Sequence, residues 1–155
     1  MTAIKVRRPR TKETTKMGRV TTKVVVENAE DEWALKHGVI KASEVRRITV
    51  DDALVDTGAA FLTLPKKMVK ALGLTKFGEK RFKTTAGERM AGMFNAVRLT
   101  IEGRTCTVDV MEAPDGVPVL VGQIPLEILD FVVDPKRQRI IGNPAHGGEW
   151  VIEAY

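Results

Sequence analysis

The sequence predicts an all-β protein, a small and mainly antiparallel closed β-barrel with one or two short helices. Runs of alternating apolar and β-branched residues, typical of half-buried strands, recur along the 155-residue chain. Glycine-containing turns separate the later runs, and only residues 65–73 have the composition of a clear helix. A chain of this length can bury one core, so we expect a single folded domain.

The first half of the chain predicts two strands that flank a helical turn. Residues 20–27 are β-branched and alternate in polarity, and residues 49–55 can pair with them. Residues 31–38 between them predict a helical turn that ends at a glycine. A short apolar run, residues 61–64, then leads into the helix 65–73, which has Pro in its first turn and Gly at its end.

The second half predicts a series of strands and ends in a hairpin. Strands are predicted at residues 80–84, 90–101 and 104–111, with turns centred on Ala86-Gly87 and Glu102-Gly103. After an apolar stretch, residues 119–122, the pattern indicates a short helix at 124–129. Two more short strands, 131–134 and 139–141, enclose the turn 135–138.

One carboxylate lies where an apolar strand runs into a tight turn. Asp56 follows the strand 49–55, and Thr57, Gly58 and Ala59 come directly after it. A charge at the end of a buried strand is unfavourable unless it is hydrogen-bonded, neutralised or used in chemistry. A turn former at a strand end is the structural alternative, and the apolar strands on both sides make the motif more specific than Asp-Thr-Gly alone.

Residues 53–59 resemble the active-site loop of aspartic proteases. The Ala59 that follows Gly58 makes the loop resemble that of the retroviral-type, or retropepsin-like, branch of that class. Val119-Leu120-Val121-Gly122 matches the hydrophobic–hydrophobic–Gly signature of the same family, the strand that passes beside the aspartate loop. The resemblance is to bacterial single-domain members and covers residues 17–143. It implies a retropepsin-like barrel and an aspartic endopeptidase that acts on peptide or protein substrates without a cofactor.

The chain contains a single Asp-Thr-Gly, and neither Asp51-Asp52 nor Asp109 reproduces the loop. The chemistry needs two carboxylates that share a proton, so the resemblance implies a homodimer in which each subunit supplies one Asp56. By the same resemblance, Asp56 would activate water and the Thr57 hydroxyl would bond across the two-fold axis. Gly58 would let its N–H approach a carboxylate oxygen.

The resemblance also implies a set of substrate-binding residues. The hairpin around residues 84–88 would be the flap that closes over an extended peptide, although it has fewer glycines than viral flaps and carries Lys83, Glu88 and Arg89. A plain surface hairpin is the alternative. The predicted substrate-binding residues are Ala59, Thr84, Thr85, Ala86, Gly87, Leu120, Val121 and Gly122.

Charge and sequence pattern divide the chain into three parts. The net charge is +5, yet residues 1–19 hold seven basic side chains and one acidic one, so the remaining residues carry −1. We predict a flexible basic extension at 1–16, the protease domain at 17–143, and a C-terminal extension at 144–155 that is a candidate part of the dimer interface. A solvated extension is favoured over nucleic-acid contact.

Several other classes of protein are not supported. No apolar run approaches the ~18–20 residues that span a bilayer, and the basic N-terminus has no apolar segment of a secretory signal. Cys106 is the single cysteine, which suits a cytoplasmic location and favours a strand residue over a catalytic thiol. His37 and His146 are isolated, so no metal site is expected.

Two alternatives from other functional classes stay open at this stage. The same dimer could act as a peptide-binding module with negligible turnover, although such a module has no need to keep a costly carboxylate pair. A nucleic-acid-associated protein acting through residues 1–19 is the other alternative, and its binding would depend steeply on salt.

Overall fold

About half of the described residues lie in nine strands. The structure is a computed structural model that describes residues 19–154. The predicted extension at 1–16 lies outside those residues. The strands are β1 (Val20–Asn28), β2 (Arg47–Val55), β3 (Leu62–Pro65), β4 (Thr75–Thr84), β5 (Gly87–Ile101), β6 (Arg104–Ala113), β7 (Leu120–Val121), β8 (Phe131–Asp134) and β9 (Arg139–Gly142). The α-helices of the described chain are α1 (Ala29–Lys36), α2 (Lys66–Ala71) and α3 (Gln123–Ile128).

Six of the strands form a ring, which confirms the all-β prediction. The order is β1-β2-β7-β3-β6-β5, and a further pairing between β1 and β5 closes it. Strand β4 pairs with β5 outside the ring, and β8 and β9 form a separate hairpin at the predicted place. The sheet is mixed, because the β2–β7 and β3–β6 pairings are parallel while the other pairings are antiparallel.

The core contains side chains from every strand of the ring and from helices α2 and α3. Strand β1 shows the alternation that builds the core: Val24 and Val26 are fully buried, Val25 between them is half-buried, and Lys23 before them is exposed. Burying one such side chain stabilises the fold by about 1.5–3 kcal/mol. The largest fully buried side chains are Leu62, Leu64, Leu72, Met93, Leu99, Ile101, Leu126 and Leu129.

Helix α1 is a two-turn helix where the sequence predicted a helical turn, and the buried Asn28 explains the difference. The Asn28 side-chain oxygen accepts hydrogen bonds from the N–H groups of Glu30 and Asp31, at 2.8 and 3.1 Å. Its amide nitrogen donates to the Leu72 carbonyl at the end of α2, at 2.7 Å. One side chain therefore caps α1 and ties it to α2.

Strands β4 and β5 are longer than the predicted segments 80–84 and 90–101. The added residues at the start of β4 include the exposed and polar Lys76 and Glu79 and the exposed Phe77, and they do not show the alternation of a half-buried strand. They join the ladder because β5 lies beside them and pairs with them down to Thr75, opposite Asn95.

No helix within residues 19–154 is long and apolar enough to cross a membrane.

Candidate active site

Strand β7 organises the loop that carries Asp56. Its residue Val121 pairs with Val55 at the end of β2 and, on its other edge, with Leu62 at the start of β3. Residues 56–61 connect β2 to β3, so both ends of the aspartate loop are fixed against the same two-residue strand. The predicted passage of the Val119–Gly122 stretch beside the aspartate loop is confirmed.

Backbone hydrogen bonds fix the first half of the loop. The Asp56 N–H donates to the Val121 carbonyl at 3.0 Å, and the Leu54 N–H donates to the Val119 carbonyl at 2.8 Å. Within the loop, the Ala59 N–H donates to the Asp56 carbonyl at 3.1 Å and closes a tight turn. The position of Asp56 is therefore set by hydrogen bonds of the main chain.

The second half of the loop is fixed by the chain that follows β7. The N–H groups of Gln123 and Ile124, in the first turn of α3, donate to the carbonyls of Ala59 and Ala60 at 2.8 and 2.9 Å. The first N–H groups of a helix have no acceptor within the helix, and here the loop carbonyls accept hydrogen bonds from two of these groups. This role of Gln123 and Ile124 was not predicted from the sequence, although their position directly after the Gly122 signature was an available signal.

Gly122 allows the loop and the start of α3 to approach each other. An added Cβ at this position would lie 2.5 Å from the Phe61 carbonyl oxygen and 2.8 Å from that of Ala59. Both distances are well inside van der Waals contact with backbone atoms that cannot rotate away. The Gly122 N–H meanwhile donates to the Phe61 carbonyl at 3.1 Å. Glycine is needed here for space, since the backbone of Gly122 is extended.

The Asp56 carboxylate is held by its own turn. The Gly58 N–H donates to Asp56 Oδ1 at 2.9 Å, the approach expected for this glycine. A Cβ on Gly58 would lie 3.2 Å from the same oxygen, which is a tight contact. Asp56 is half-buried, whereas Thr57 and Gly58 are exposed. The single chain therefore presents one oriented carboxylate on an open surface.

The predicted flap is a regular hairpin. Thr84 and Gly87 are paired at the end of the β4–β5 ladder, and Thr85 and Ala86 form the turn between them. The Thr84 hydroxyl donates to the Gly87 carbonyl at 2.9 Å and accepts from the Ala86 N–H at 3.1 Å. All four residues are exposed. A mobile role in covering substrate stays a prediction.

The other predicted substrate-binding residues lie within or beside the aspartate loop. Ala59 and Leu120 are half-buried, while Val121 and Gly122 are buried in the single chain. The structure gives the last two a clear part in supporting the loop. Contact of any of the four with substrate stays a prediction.

Cys106, His37 and His146 make none of the contacts to the Asp56 loop described above. Cys106 is a residue of β6, as expected, and burial raises the pKa of its thiol to about 11, so the thiol is protonated at neutral pH. His37 is exposed and stacks on Trp33. His146 lies in a short 3₁₀ turn and contacts Asp130. No group of three or more potential metal ligands is found within residues 19–154.

Comparison with protein families identifies the family to which this chain belongs. A family model described as aspartyl protease matches residues 36–142, more than half of the chain, and the match includes both the Asp56 loop and Gly122. No curated protein matches the sequence. The ring of strands, the hydrogen-bonded Asp-Thr-Gly turn and the close approach at Gly122 agree with this match. The chain belongs to the aspartyl protease family, in its retropepsin-like branch.

Proposed function

We propose that this protein is an aspartic endopeptidase whose active site forms between two identical subunits. Two Asp56 carboxylates, one from each chain, would activate a water molecule that attacks the peptide carbonyl. The single observation that carries the proposal is the Asp56 turn, which is fixed by backbone hydrogen bonds to β7 and orients the carboxylate through the Gly58 N–H.

The chemistry follows from placing two such carboxylates side by side. Two carboxylates a few ångströms apart cannot both ionise comfortably, so the pair holds one proton between them. The ionised member takes a proton from water, and the protonated member donates to the carbonyl oxygen of the substrate. A single chain carries one oriented Asp56, so neither step is complete without the partner.

The exposure of the loop supports pairing about a two-fold axis. Thr57 and Gly58 are exposed in the single chain, as residues that contact a second copy must be. In a two-fold interface the same patch meets itself, so the Thr57 hydroxyl would face the partner's loop. It would thereby fix the distance between the two carboxylates.

An apolar surface beside the loop supports the same dimer. Ile124 and Ile128 lie one turn apart on α3 and are 41% and 37% exposed. Trp150, 42% exposed, is placed beside them because its indole N–H donates to the Ile128 carbonyl at 3.0 Å. We call these three residues the α3 patch. Because α3 begins at the aspartate loop, contact between loops would bring the α3 patch near the interface.

The C-terminal part of the chain is a further candidate for the interface. The β8–β9 hairpin is a two-stranded sheet, so its outer edges make no ladder within the described chain. Residues 150–152, Trp-Val-Ile, are exposed and form no strand in the single chain. Both segments would gain partners in a dimer.

The central experiment compares two Asp-to-Asn variants. Asp56→Asn removes the general base while keeping the side-chain shape, and Asp52→Asn makes the same change at an exposed position of β2. We expect Asp56→Asn to abolish cleavage of a peptide library and Asp52→Asn to retain it. Cleavage by Asp56→Asn within about tenfold of wild type would remove Asp56 from the mechanism.

The same experiment separates the enzyme from a peptide-binding module. A module would bind library peptides in both its wild-type and Asp56→Asn forms and would release them uncleaved. Wild-type protein that binds but does not cleave at any concentration would therefore favour the module. The expected cytoplasmic location also stays a prediction, based on the single Cys106.

A further inference from the structure

The β4–β5 hairpin carries a concentration of positive charge. Residues 75–92 contain five basic side chains and two acidic ones, although residues 20–155 together are close to neutral. Lys76 and Glu79 form an ion pair at 3.0 Å, which satisfies one of the five. The basic side chains are Lys76, Lys80, Arg81, Lys83 and Arg89.

Two of these cations lie on the face of the hairpin that turns toward the body of the protein. Lys80 pairs with Ala91 and Phe82 pairs with Arg89, and directly opposite residues of an antiparallel ladder project to the same side. On the same face, Ala91 is 7% exposed and Met93 is 1% exposed. Lys80 and Arg89 continue this buried row toward the tip and are themselves exposed.

The opposite face of the hairpin is turned to solvent. Arg81 pairs with Met90, which is 59% exposed, and Lys83 pairs with Glu88. A cation and an anion directly opposite each other on the solvent face offset one another. The two faces therefore differ, because Glu88 lies opposite Lys83 on the solvent face, whereas neither body-facing cation has an anionic residue across the ladder.

Lys80 and Arg89 have no ion-pair partner within residues 19–154. They are diagonal neighbours on the two-strand ladder, a relation that places side chains about 7–8 Å apart. An extended peptide rises about 3.3 Å per residue, so side chains at alternate positions project to the same side about 6–7 Å apart. The two spacings match closely enough for two cations to meet two carboxylates.

We propose that Lys80 and Arg89 select substrate peptides that carry acidic side chains at alternate positions, Glu-x-Glu or Asp-x-Asp. This rests on the proposed function, because it takes the β4–β5 hairpin to be the flap that covers an extended substrate. The Arg89 guanidinium can bind one carboxylate in a bidentate manner and the Lys80 ammonium can bind the other as a point charge. Peptide is favoured over nucleic acid, since base stacking needs exposed aromatic rings and Phe82 on this face is half-buried.

The test measures binding on full-length Asp56→Asn, so that no peptide is cleaved. Three labelled peptides of one sequence differ only in Glu-x-Glu, adjacent Glu-Glu-x, or Gln-x-Gln, and fluorescence anisotropy gives each Kd. We expect Glu-x-Glu to bind roughly tenfold tighter than Gln-x-Gln and tighter than Glu-Glu-x. The preference should disappear as salt rises from about 0.1 M to about 1 M, which shortens the screening length from about 10 Å to about 3 Å.

Two double variants on the same background assign the effect to one face. Lys80→Gln/Arg89→Gln should remove the preference, while Arg81→Gln/Lys83→Gln, with the same loss of charge on the solvent face, should retain it. Circular dichroism would check that both variants are folded. Equal Kd values for the three peptides, equal loss in both double variants, or stronger binding of a single-stranded oligonucleotide of equal charge would each overturn the proposal.

Wild-type cleavage keeps this inference separate from the proposed function. If Asp56→Asn selects Glu-x-Glu but wild type cleaves none of the peptides, the endopeptidase is wrong and the anion-binding pair stands. If wild type cleaves all three peptides with equal kcat/KM, the endopeptidase stands and the selectivity is wrong.

Discussion

At Gly122, Phe61 and Ala59 leave no room for a methyl group, because their carbonyl oxygens would lie 2.5 and 2.8 Å from an added Cβ. The Gly122 N–H also donates to the Phe61 carbonyl, which holds the loop to the end of β7. Packing and hydrogen bonding of the Asp56 loop thus depend on one small residue, and its substitution acts on the site without touching the carboxylate.

We expect Gly122→Ala to lower the free energy of unfolding by about 1–3 kcal/mol, since backbone must move to admit the Cβ. Activity should fall further than stability alone explains, because the moved backbone carries Asp56. Urea denaturation and kcat/KM at a temperature where the variant is folded measure both effects. Gly78→Ala is the matched control, because a Cβ there meets nothing within 4 Å; comparable losses in both variants would contradict the role given to Gly122.

Thr63 presents the opposite case, a polar group where an apolar one fits. Its side chain is in β3 between β6 and β7 and is 2% exposed, and its hydroxyl has no hydrogen-bond partner among the described residues. A buried, unpaired hydroxyl is unfavourable by about 1–3 kcal/mol, and Val has nearly the same shape. Thr63→Val should raise the free energy of unfolding by about 1 kcal/mol in urea denaturation. A fall of similar size would show that the hydroxyl is bonded.

Between elements, a buried carboxylate fastens the C-terminal segment to the end of α3. Asp130 accepts hydrogen bonds from His146 Nδ1 at 2.6 Å, from the Asn143 amide at 3.1 Å and from the Val151 N–H at 3.2 Å. Arg104 reinforces the junction by donating to the Asp130 and Gly148 carbonyls at 2.9 and 2.6 Å. Residues 144–154 are thus attached to the domain, and their part in a dimer interface stays a prediction.

The contact between His146 and Asp130 should make stability depend on pH. The hydrogen bond to Asp130 raises the pKa of His146 above its ordinary value of 6.5, with Glu153 as a second partner, and the bond to His146 holds the pKa of Asp130 below 3.8. His146 therefore contributes fully below pH 6.5, and its contribution is lost as pH rises through the raised pKa. The contribution of Asp130 is present above pH 3.8 and is lost as pH falls through its lowered pKa.

Urea denaturation of wild type and His146→Gln between pH 5 and pH 9 tests this. We expect wild type to be the more stable at about pH 5–6 and the difference to shrink steadily above about pH 6.5. Other titrating groups cancel in the comparison. A difference that is constant with pH, or that grows toward pH 9, would show that the charged form of His146 does not stabilise the fold.

For the whole molecule, the proposed shared site ties activity to association. Peptidase activity should rise faster than linearly with protein concentration near the dimer dissociation constant, because only the dimer has both Asp56 carboxylates. Sedimentation velocity at the same concentrations gives the fraction of dimer. A species that is fully active while it sediments as a monomer would refute the shared site.

A polar substitution in the α3 patch should shift that dependence. Ile124→Gln removes an exposed apolar side chain beside the aspartate loop, and we expect it to raise the concentration needed for half-maximal activity several-fold. Val39→Gln makes the same kind of change at a 66% exposed residue after α1 and should leave the curve unchanged. If both variants, or neither, shift the curve, the α3 patch is not part of the interface.

Most of the strands and helices could be predicted from the sequence. Alternation along β1 and the turn between β5 and β6 follow from short-range pattern, and β1 and β6 were predicted close to their observed bounds. The turn before β5 was predicted one residue late, because Gly87 is the first residue of that strand. The first residues of β4 and the full length of α1 could not be, because their stability comes from distant partners. Thr75 pairs with Asn95, and the Asn28 cap is itself held by Leu72.

By itself, the sequence determined the class of the fold, the family and the carboxylate at its centre, because alternation, turn residues and the Asp-Thr-Gly motif are local properties of the chain. The tertiary structure decided what surrounds that carboxylate. Strand β7 reaches Asp56 from 65 residues along the chain, and the first turn of α3 binds the loop carbonyls. Pairing of β4 with β5 makes Lys80 and Arg89 diagonal neighbours on one ladder. Contacts of this kind depend on how strands pair and in which register, because a one-residue change of register turns the side chains of a strand to the other face of the sheet.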